Sequence, residues 1–481
     1  MLVRPPAIRP AARARAPLWL ALLSLLLPVD AGPAVAQSSA AQLSAEHAER
    51  FARQAEAWRS QLSQQMLPAW YDTTIDRESG GYLLPEAGTS NKLLASQARL
   101  MWSFARAHRA GLRDPERDYL AAATHGYRFL RANFLDPLNG GYYWMTSRVG
   151  RPLEQRKLLY GQACMLYGLL EYYRASGDVA ALQDASDLYR TVMERAHDSV
   201  NGGWGEHFEP DWRPIGESAV EAEADESGLP SPASGATPTP QPMVDRQNTL
   251  GIGIVGTKSG EAHLQWMAAL IELHRITREA GAPPAAAEVK VEPALAEALD
   301  LNLTHFFPAN AGEAYPYRQP DWQRPLGAKF REVIYGHNVE FAWLMLEAQE
   351  ALGREPLWPR FDALMQHALK YGFDHEHGGL YAIGFGNRPA LVKEKIWWGQ
   401  AEMLAALTAS VRARAEPEHA QALEQLVAFL TGHQIDSSDG MWFDAVKADG
   451  SPWRPAKVHG RKTSYHELRA LLRFIEAFDA A

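Results

Sequence analysis

Cysteine is almost absent. Cys164 is the only one in 481 residues, so no intramolecular disulfide can form in any compartment. It sits in Gly161-Gln162-Ala163-Cys164-Met165-Leu166-Tyr167, an apolar helical pattern in which a lone thiol reads as a small buried hydrophobe rather than a nucleophile. Basic residues are also short, 48 Lys+Arg against 57 Asp+Glu, and a formal charge of -9 argues against nucleic acid as a partner. No Gly-rich phosphate loop precedes a helical pattern. No spaced ligand set stands out either: His375-Glu376-His377 lies in a turn before Gly378, so neither a metal nor another cofactor is expected.

Long apolar runs are missing except near the N-terminus. There Arg4, Arg9, Arg13 and Arg15 precede the apolar run 18–27, and Ala34-Val35-Ala36 follows. That order is a secretory signal peptide over residues 1–36, with a run too short to span a bilayer. Its four arginines and Asp30 carry a net +3, so its removal takes the formal charge from -9 to -12. The expectation is an exported protein, periplasmic or secreted, with no membrane contact after signal removal, as a monomer or homodimer.

What the chain has is ample apolar content, 46% hydrophobic against 22% charged, and an internal repeat. Gly80-Gly81-Tyr82, Gly140-Gly141-Tyr142, Gly202-Gly203-Trp204, Gly378-Gly379-Leu380-Tyr381 and the weaker Gly440-Met441-Trp442 recur at intervals of 60, 62, 176 and 62 residues. The long interval reads as about three units whose Gly-Gly has been lost or diverged. Fixed spacing of this kind marks one supersecondary unit repeated, each copy burying its apolar face on its neighbours.

Six helical patterns are apolar nearly all round yet each carries polar groups: 92–110 (Arg99), 157–175 (Gln162), 258–278 (His263), 335–352 (His337, Glu340), 395–412 (Gln400, Glu402) and 462–478 (His466). A helix apolar on every side is buried on every side. The intervening patterns are more amphipathic, as an outer layer requires. The prediction is an all-α protein, a single (α/α)6 barrel over 37–481, with the Gly-Gly turns at one end and the inner polar groups lining a central cavity. A Glu-rich then Pro/Ser/Thr/Gly-rich insertion near 217–254 predicts a solvated loop without structure of its own.

Four constellations could carry chemistry. In Tyr335-Gly336-His337-Asn338-Val339-Glu340, His337 and Glu340 share a helix face, so the carboxylate could hold or charge the imidazole. In Arg461-Lys462-Thr463-Ser464-Tyr465-His466, Lys462 lies one turn from His466 and is expected to keep it neutral. Trp398 and Glu402, one turn apart, offer a plane and a carboxylate suited to a sugar, with Trp343, Trp102 and Tyr160 on other inner helices. Arg99 interrupts an apolar face and demands a partner, either Glu340 or Glu402, or a ligand oxyanion.

Lys157-Leu158-Leu159-Tyr160-Gly161-Gln162-Ala163, Tyr335-Gly336-His337-Asn338-Val339-Glu340, Trp397-Trp398-Gly399-Gln400-Ala401-Glu402 and Tyr465-His466 together resemble the N-acylglucosamine 2-epimerase family, which includes cellobiose 2-epimerases and mannose isomerases. The resemblance implies an (α/α)6 barrel acting on a reducing mono- or disaccharide without a metal. It implies His337 and His466 as acid/base pair, Arg99 as the substrate-holding arginine, Glu340 as an orienting carboxylate, and Trp343, Trp398 and Glu402 as binding groups. Tyr160, His263, Gln265 and Arg461 are read as further substrate contacts. The chain departs from the cellobiose-epimerase pattern in carrying Glu261 and Gln265 where Asn and His are usual, and Arg461 where a tryptophan is usual.

Such a site would abstract the C2 proton of an open-chain aldose to give an enediolate, and return it to C2 for epimerisation or to C1 for isomerisation. Two other classes stay open at this point. Glu340 and Glu402 could be the carboxylate pair of an (α/α)6 glycoside hydrolase or lyase, or the changed residues could mark a carbohydrate-binding protein without catalysis.

Overall fold

Burial separates the helices of the computed structural model into two sets, which alternate along the chain. The structure describes residues 43–84, 90–215, 253–279 and 283–479. The expected signal segment and nearly all of the expected insertion lie outside them. In chain order the helices are α1 (Ala45–Gln61), α2 (Leu67–Thr74), α3 (Leu94–Arg109), α4 (Tyr119–Asn133), α5 (Leu159–Ser176), α6 (Val179–Arg195), α7 (Gly260–Thr277), α8 (Pro284–Ala287), α9 (Glu292–Leu301), α10 (Tyr335–Ala351), α11 (Trp358–His367), α12 (Trp397–Arg414), α13 (Pro417–Phe429) and α14 (Tyr465–Phe478). The inner set is α3, α5, α7, α10, α12 and α14. Each packs on the next, and α14 returns to α3, so the ring is closed. On the outside α1 with α2, α4, α6, α9, α11 and α13 cover it, as the expected (α/α)6 barrel requires. Among the described residues no helix is long and apolar enough to cross a membrane.

The turns that connect outer to inner helices share one construction. In five of them an aspartate (Asp76, Asp136, Asp198, Asp374, Asp436) accepts on its backbone oxygen the N–H of the glycine four residues on, at 2.8–3.0 Å. The following residue turns with positive φ at Gly81, Gly141, Gly203 and Gly379. At Gly81 any side chain would also strike the Gln97 amide, 2.6 Å from where a Cβ would stand, so glycine is required on both counts. A lysine then reaches back to each aspartate: Lys92, Lys157, Lys258, Lys395 and Lys457, at 3.0, 2.7, 2.8, 2.8 and 2.6 Å.

A second clasp comes from the fourth residue of the inner helix. Gln97, Gln162 and Gln400 each bond both N–H and C=O of Tyr82, Tyr142 and Leu380. His263 takes the same place in α7: its Nδ1 meets Ser259 O at 2.8 Å and its Nε2 accepts the Trp204 N–H at 3.2 Å. Burial drives its pKa down to about 3, which suits a ring whose Nε2 must accept. In α10 the place is held by Asn338, directed at Ala311 O. That vestige locates the diverged turn near Ala311–Glu313 and corrects the repeat count. The 176-residue interval holds two units lengthened by the insertion, not three.

Candidate active site

The N-terminal ends of the inner helices converge on a cavity of about 240 Å³. Six helix N-termini make this end electropositive. Into it the inner helices direct their second, third and sixth residues: Tyr160, Glu261, Trp398 and His466 from the second place, Ser96 and His337 from the third, Arg99, Gln265 and Glu340 from the sixth. Trp144, Tyr317, Trp397 and Arg461 also line it.

Arg99 is buried, with its guanidinium over the rings of Tyr160 and Tyr465 at 5.3 and 4.8 Å. Burial works against its charge, but Tyr160, Cys164, Tyr465 and Glu261 outweigh that and its pKa is raised. Its Nε has no hydrogen-bond partner among the described residues. It pairs with neither Glu340 nor Glu402, the partners the sequence suggested.

Those carboxylates belong to Arg469, which sequence reasoning missed. Arg469 donates to Glu340 Oε1 at 2.8 Å and to Glu402 Oε1 at 2.7 Å. Glu402 Oε1 also meets His466 Nδ1 at 2.6 Å, and its Oε2 accepts from Trp343 Nε1 at 3.0 Å. Glu340 takes a further bond from Gln265 Nε2 at 3.0 Å. The signal available was position: Arg469 lies three residues after His466 and so shares its helix face.

His466 is buried, and burial first, then Arg99 and Arg469, push its pKa well below the ordinary histidine value. Lys462, expected to do this, instead forms a fully buried ion pair with Glu467. His337 is half-buried and lies against Trp398, 4.8 Å between ring centroids. Its expected partner Glu340 is engaged by Arg469 and Gln265. Trp398 also borders His466, at 6.2 Å, so one indole stands beside both histidines.

The structure thus brings His337, His466, Arg99, Glu340, Tyr160, Trp398, Gln265 and Arg461 to one cavity. Three sequence-based substrate contacts fall elsewhere. His263 is wholly buried in its turn clasp, because the fourth helical position faces outward from the cavity. Trp343 lies behind the site, under Arg469 and Arg473 at 4.9 and 4.1 Å. Glu402 supports His466 from below and does not line the cavity.

Donor atoms of Glu340, Glu402 and His466 lie within 4.8 Å of one another, a spacing a metal ion could use. The cation standing there is the Arg469 guanidinium, bonded to both carboxylates. The same fact weighs against an inverting hydrolase. An inverting pair needs about 6.5–9.5 Å between carboxyl groups to hold a water, whereas these two converge on one nitrogen.

The sequence profile of the N-acylglucosamine 2-epimerase (GlcNAc 2-epimerase) family matches residues 78–223 and 262–470. A cellobiose 2-epimerase of Eubacterium cellulosolvens is 25% identical over 434 residues, 87% of this chain and 97% of the relative. A D-mannose isomerase of Marinomonas mediterranea is 23% identical over 426 residues, 83% and 92% respectively. The solved cellobiose 2-epimerase of Spirochaeta thermophila DSM 6192 superposes with a TM-score of 0.71 at 26% identity, covering 89% of this chain and 98% of its own.

Proposed function

The chain belongs to the N-acylglucosamine 2-epimerase family, and from that premise we propose that it is an isomerase that inverts C2 of a reducing mono- or disaccharide, or converts it to the ketose, through an enediolate. The observation that carries the reading is the meeting in a single cavity of two histidines and one guanidinium that bonds no carboxylate among the described residues.

The open-chain aldose presents a C2 proton made acidic by its neighbouring carbonyl. A histidine donating Nδ1–H to a carboxylate keeps its lone pair on Nε2. His466, held neutral by burial and by Arg99 and Arg469, therefore acts as the base from one side. His337 acts from the other, with Trp398 as the plane against which the sugar lies. Arg99, with no carboxylate bonded to it, takes the oxygen on which negative charge develops. Return of a proton to C2 on the opposite face gives the epimer, and return to C1 gives the ketose.

Glu261, Gln265 and the exposed Arg461 at the rim place charge and amide groups around the substrate. Of these the Arg461 guanidinium suits an oxygen-rich sugar bearing an acidic or N-acyl group better than a neutral apolar sugar face. Export through the segment 1–36 remains part of the proposal and rests on the sequence pattern alone. The test is to incubate the protein with a panel of reducing sugars and follow products by NMR. A C2 epimer or a ketose is expected. New reducing ends would make it a hydrolase, and an unchanged panel bound at the cavity would make it a binder.

A further inference from the structure

We propose that Arg469 is a positioning residue of this site, bridging Glu340 and Glu402 so that Glu402 fixes His466 by Nδ1 and leaves Nε2 for the cavity. The inference rests on the epimerase/isomerase reading only for what His466 does in turnover; the arrangement itself is geometric.

Arg469 is 5% exposed. One nitrogen, Nη2, serves both carboxylates at 2.8 and 2.7 Å, while Nη1 meets Tyr465 Oη at 2.5 Å. The guanidinium plane also lies over Trp343 and Tyr465, at 4.9 and 4.6 Å. Rings and bonds on every side therefore fix a residue that is otherwise long and rotamer-rich. Because Glu402 Oε1 receives both Arg469 and His466, any movement of the guanidinium is passed to the imidazole through one oxygen atom.

Charge supports the same assignment. The groups that face His466 are Arg99 from α3, His337 and Glu340 from α10, Glu402 from α12, and Tyr465 and Arg469 from its own helix, with Arg461 at the rim. Arg469 offsets two carboxylates at once. Without it those carboxylates would face the imidazole with Arg99 as the remaining close cation, which favours the imidazolium and removes the base.

The test combines Arg469→Ala and Arg469→Lys with two readouts. One is the pH titration of the His466 ring followed by NMR, which needs no turnover. The other is kcat and KM across pH for wild type and variants. In Arg469→Ala the His466 midpoint should rise by about 1–3 pH units, the effect of one like charge at this range. The acidic limb of kcat should rise with it, and kcat at neutral pH should fall at least about tenfold with KM little changed. A purely structural role would lower kcat equally at every pH.

Arg469 also borders a second cavity of about 240 Å³ at the opposite end of the barrel, so added guanidinium ion should enter the alanine variant there and restore both readouts. A folded Arg469→Ala protein with an unmoved His466 midpoint overturns the proposal. Should that variant not fold, Arg469→Lys decides: its ammonium keeps the charge and so the midpoint, but gives up the Nη1 bond to Tyr465 and the flat stacking on Trp343 and Tyr465 that hold the bridging nitrogen in place. In it the His466 Nδ1–H should exchange with solvent faster by NMR as its bond to Glu402 loosens, with kcat about tenfold lower at unchanged KM; wild-type exchange and kinetics overturn the proposal. A wild type that turns over no sugar sinks the epimerase reading instead, while the NMR arm still stands.

Discussion

Replacing Glu402 by glutamine changes one oxygen to an amide and removes one charge from beneath His466. The side chain now holds His466 Nδ1 at 2.6 Å, Arg469 at 2.7 Å and Trp343 Nε1 at 3.0 Å. Charge-assisted bonds of this kind are roughly twice as strong as neutral ones, so the imidazole loses both its firmest tether and its preferred tautomer, because an amide N–H can turn toward Nδ1. An opposite charge at this range supports a protonated imidazole by about 1–3 pKa units, each worth about 1.4 kcal/mol. His466 already lies well below the ordinary histidine value, and Glu402→Gln should carry it lower. Two consequences follow for turnover measured by NMR between pH 5 and 9. The plateau of kcat should fall by about 10²-fold, the lower end of lost general-base catalysis. The acidic limb should move to lower pH, opposite in sign to the shift expected for Arg469→Ala. A plateau within threefold of wild type, or an acidic limb displaced upward, refutes the reasoning.

His337→Ala and His466→Ala should each reduce turnover by about 10²–10⁴-fold, and near wild-type rates in either would rule out a two-base mechanism. Chelators should leave activity unchanged, since Arg469 stands among the three donors a metal would need; loss in EDTA with rescue by a divalent ion contradicts this. Lys157→Met leaves Asp136, 2% exposed, without its partner at 2.7 Å, and urea unfolding should show a loss of about 3–5 kcal/mol. Burial pushes the Asp136 carboxyl up, but Lys157, Asn139 and two backbone N–H groups hold it down at about 2. Its folded pKa is thus depressed, so its contribution is complete above pH 4 or so and fades as pH falls toward 2; acid unfolding of the wild type should be steeper in that window than that of Lys157→Met.

The barrel was legible in the sequence because the turns repeat and the inner helices are apolar on every side. The helix limits read from periodicity fall close to those of α3, α5, α7, α10, α12 and α14. What periodicity did not separate was the two polar positions within each inner helix. Gln97, Gln162, His263, Asn338 and Gln400 occupy the fourth place and clasp turns, whereas Arg99, Gln265, Glu340 and Glu402 occupy the sixth. Two residues along a helix is a rotation of about 200°, to the opposite face, and a sequence scan that marks polar residues in an apolar run pools both. His263 was misplaced for that reason. Arg469 was overlooked because, in His466-Glu467-Leu468-Arg469, it resembles an ordinary solvated charge. Its role depends on Glu340 and Glu402, 129 and 67 residues away, and no local pattern reports such a meeting. The same holds for Lys462, whose partner Glu467 is five residues on rather than the histidine at four.

The central claim is that the protein removes a proton from C2 of a sugar, and solvent isotope exchange tests it most directly. Wild-type protein incubated in D2O with cellobiose, mannose and N-acetylglucosamine should place deuterium at C2 of at least one of them, in recovered substrate as well as in the C2 epimer, or at C1 of the ketose. His466→Ala should abolish the incorporation. A C2 epimer that keeps the substrate's own C2 hydrogen would exclude return from a second base, and no incorporation into any reducing sugar would contradict the account.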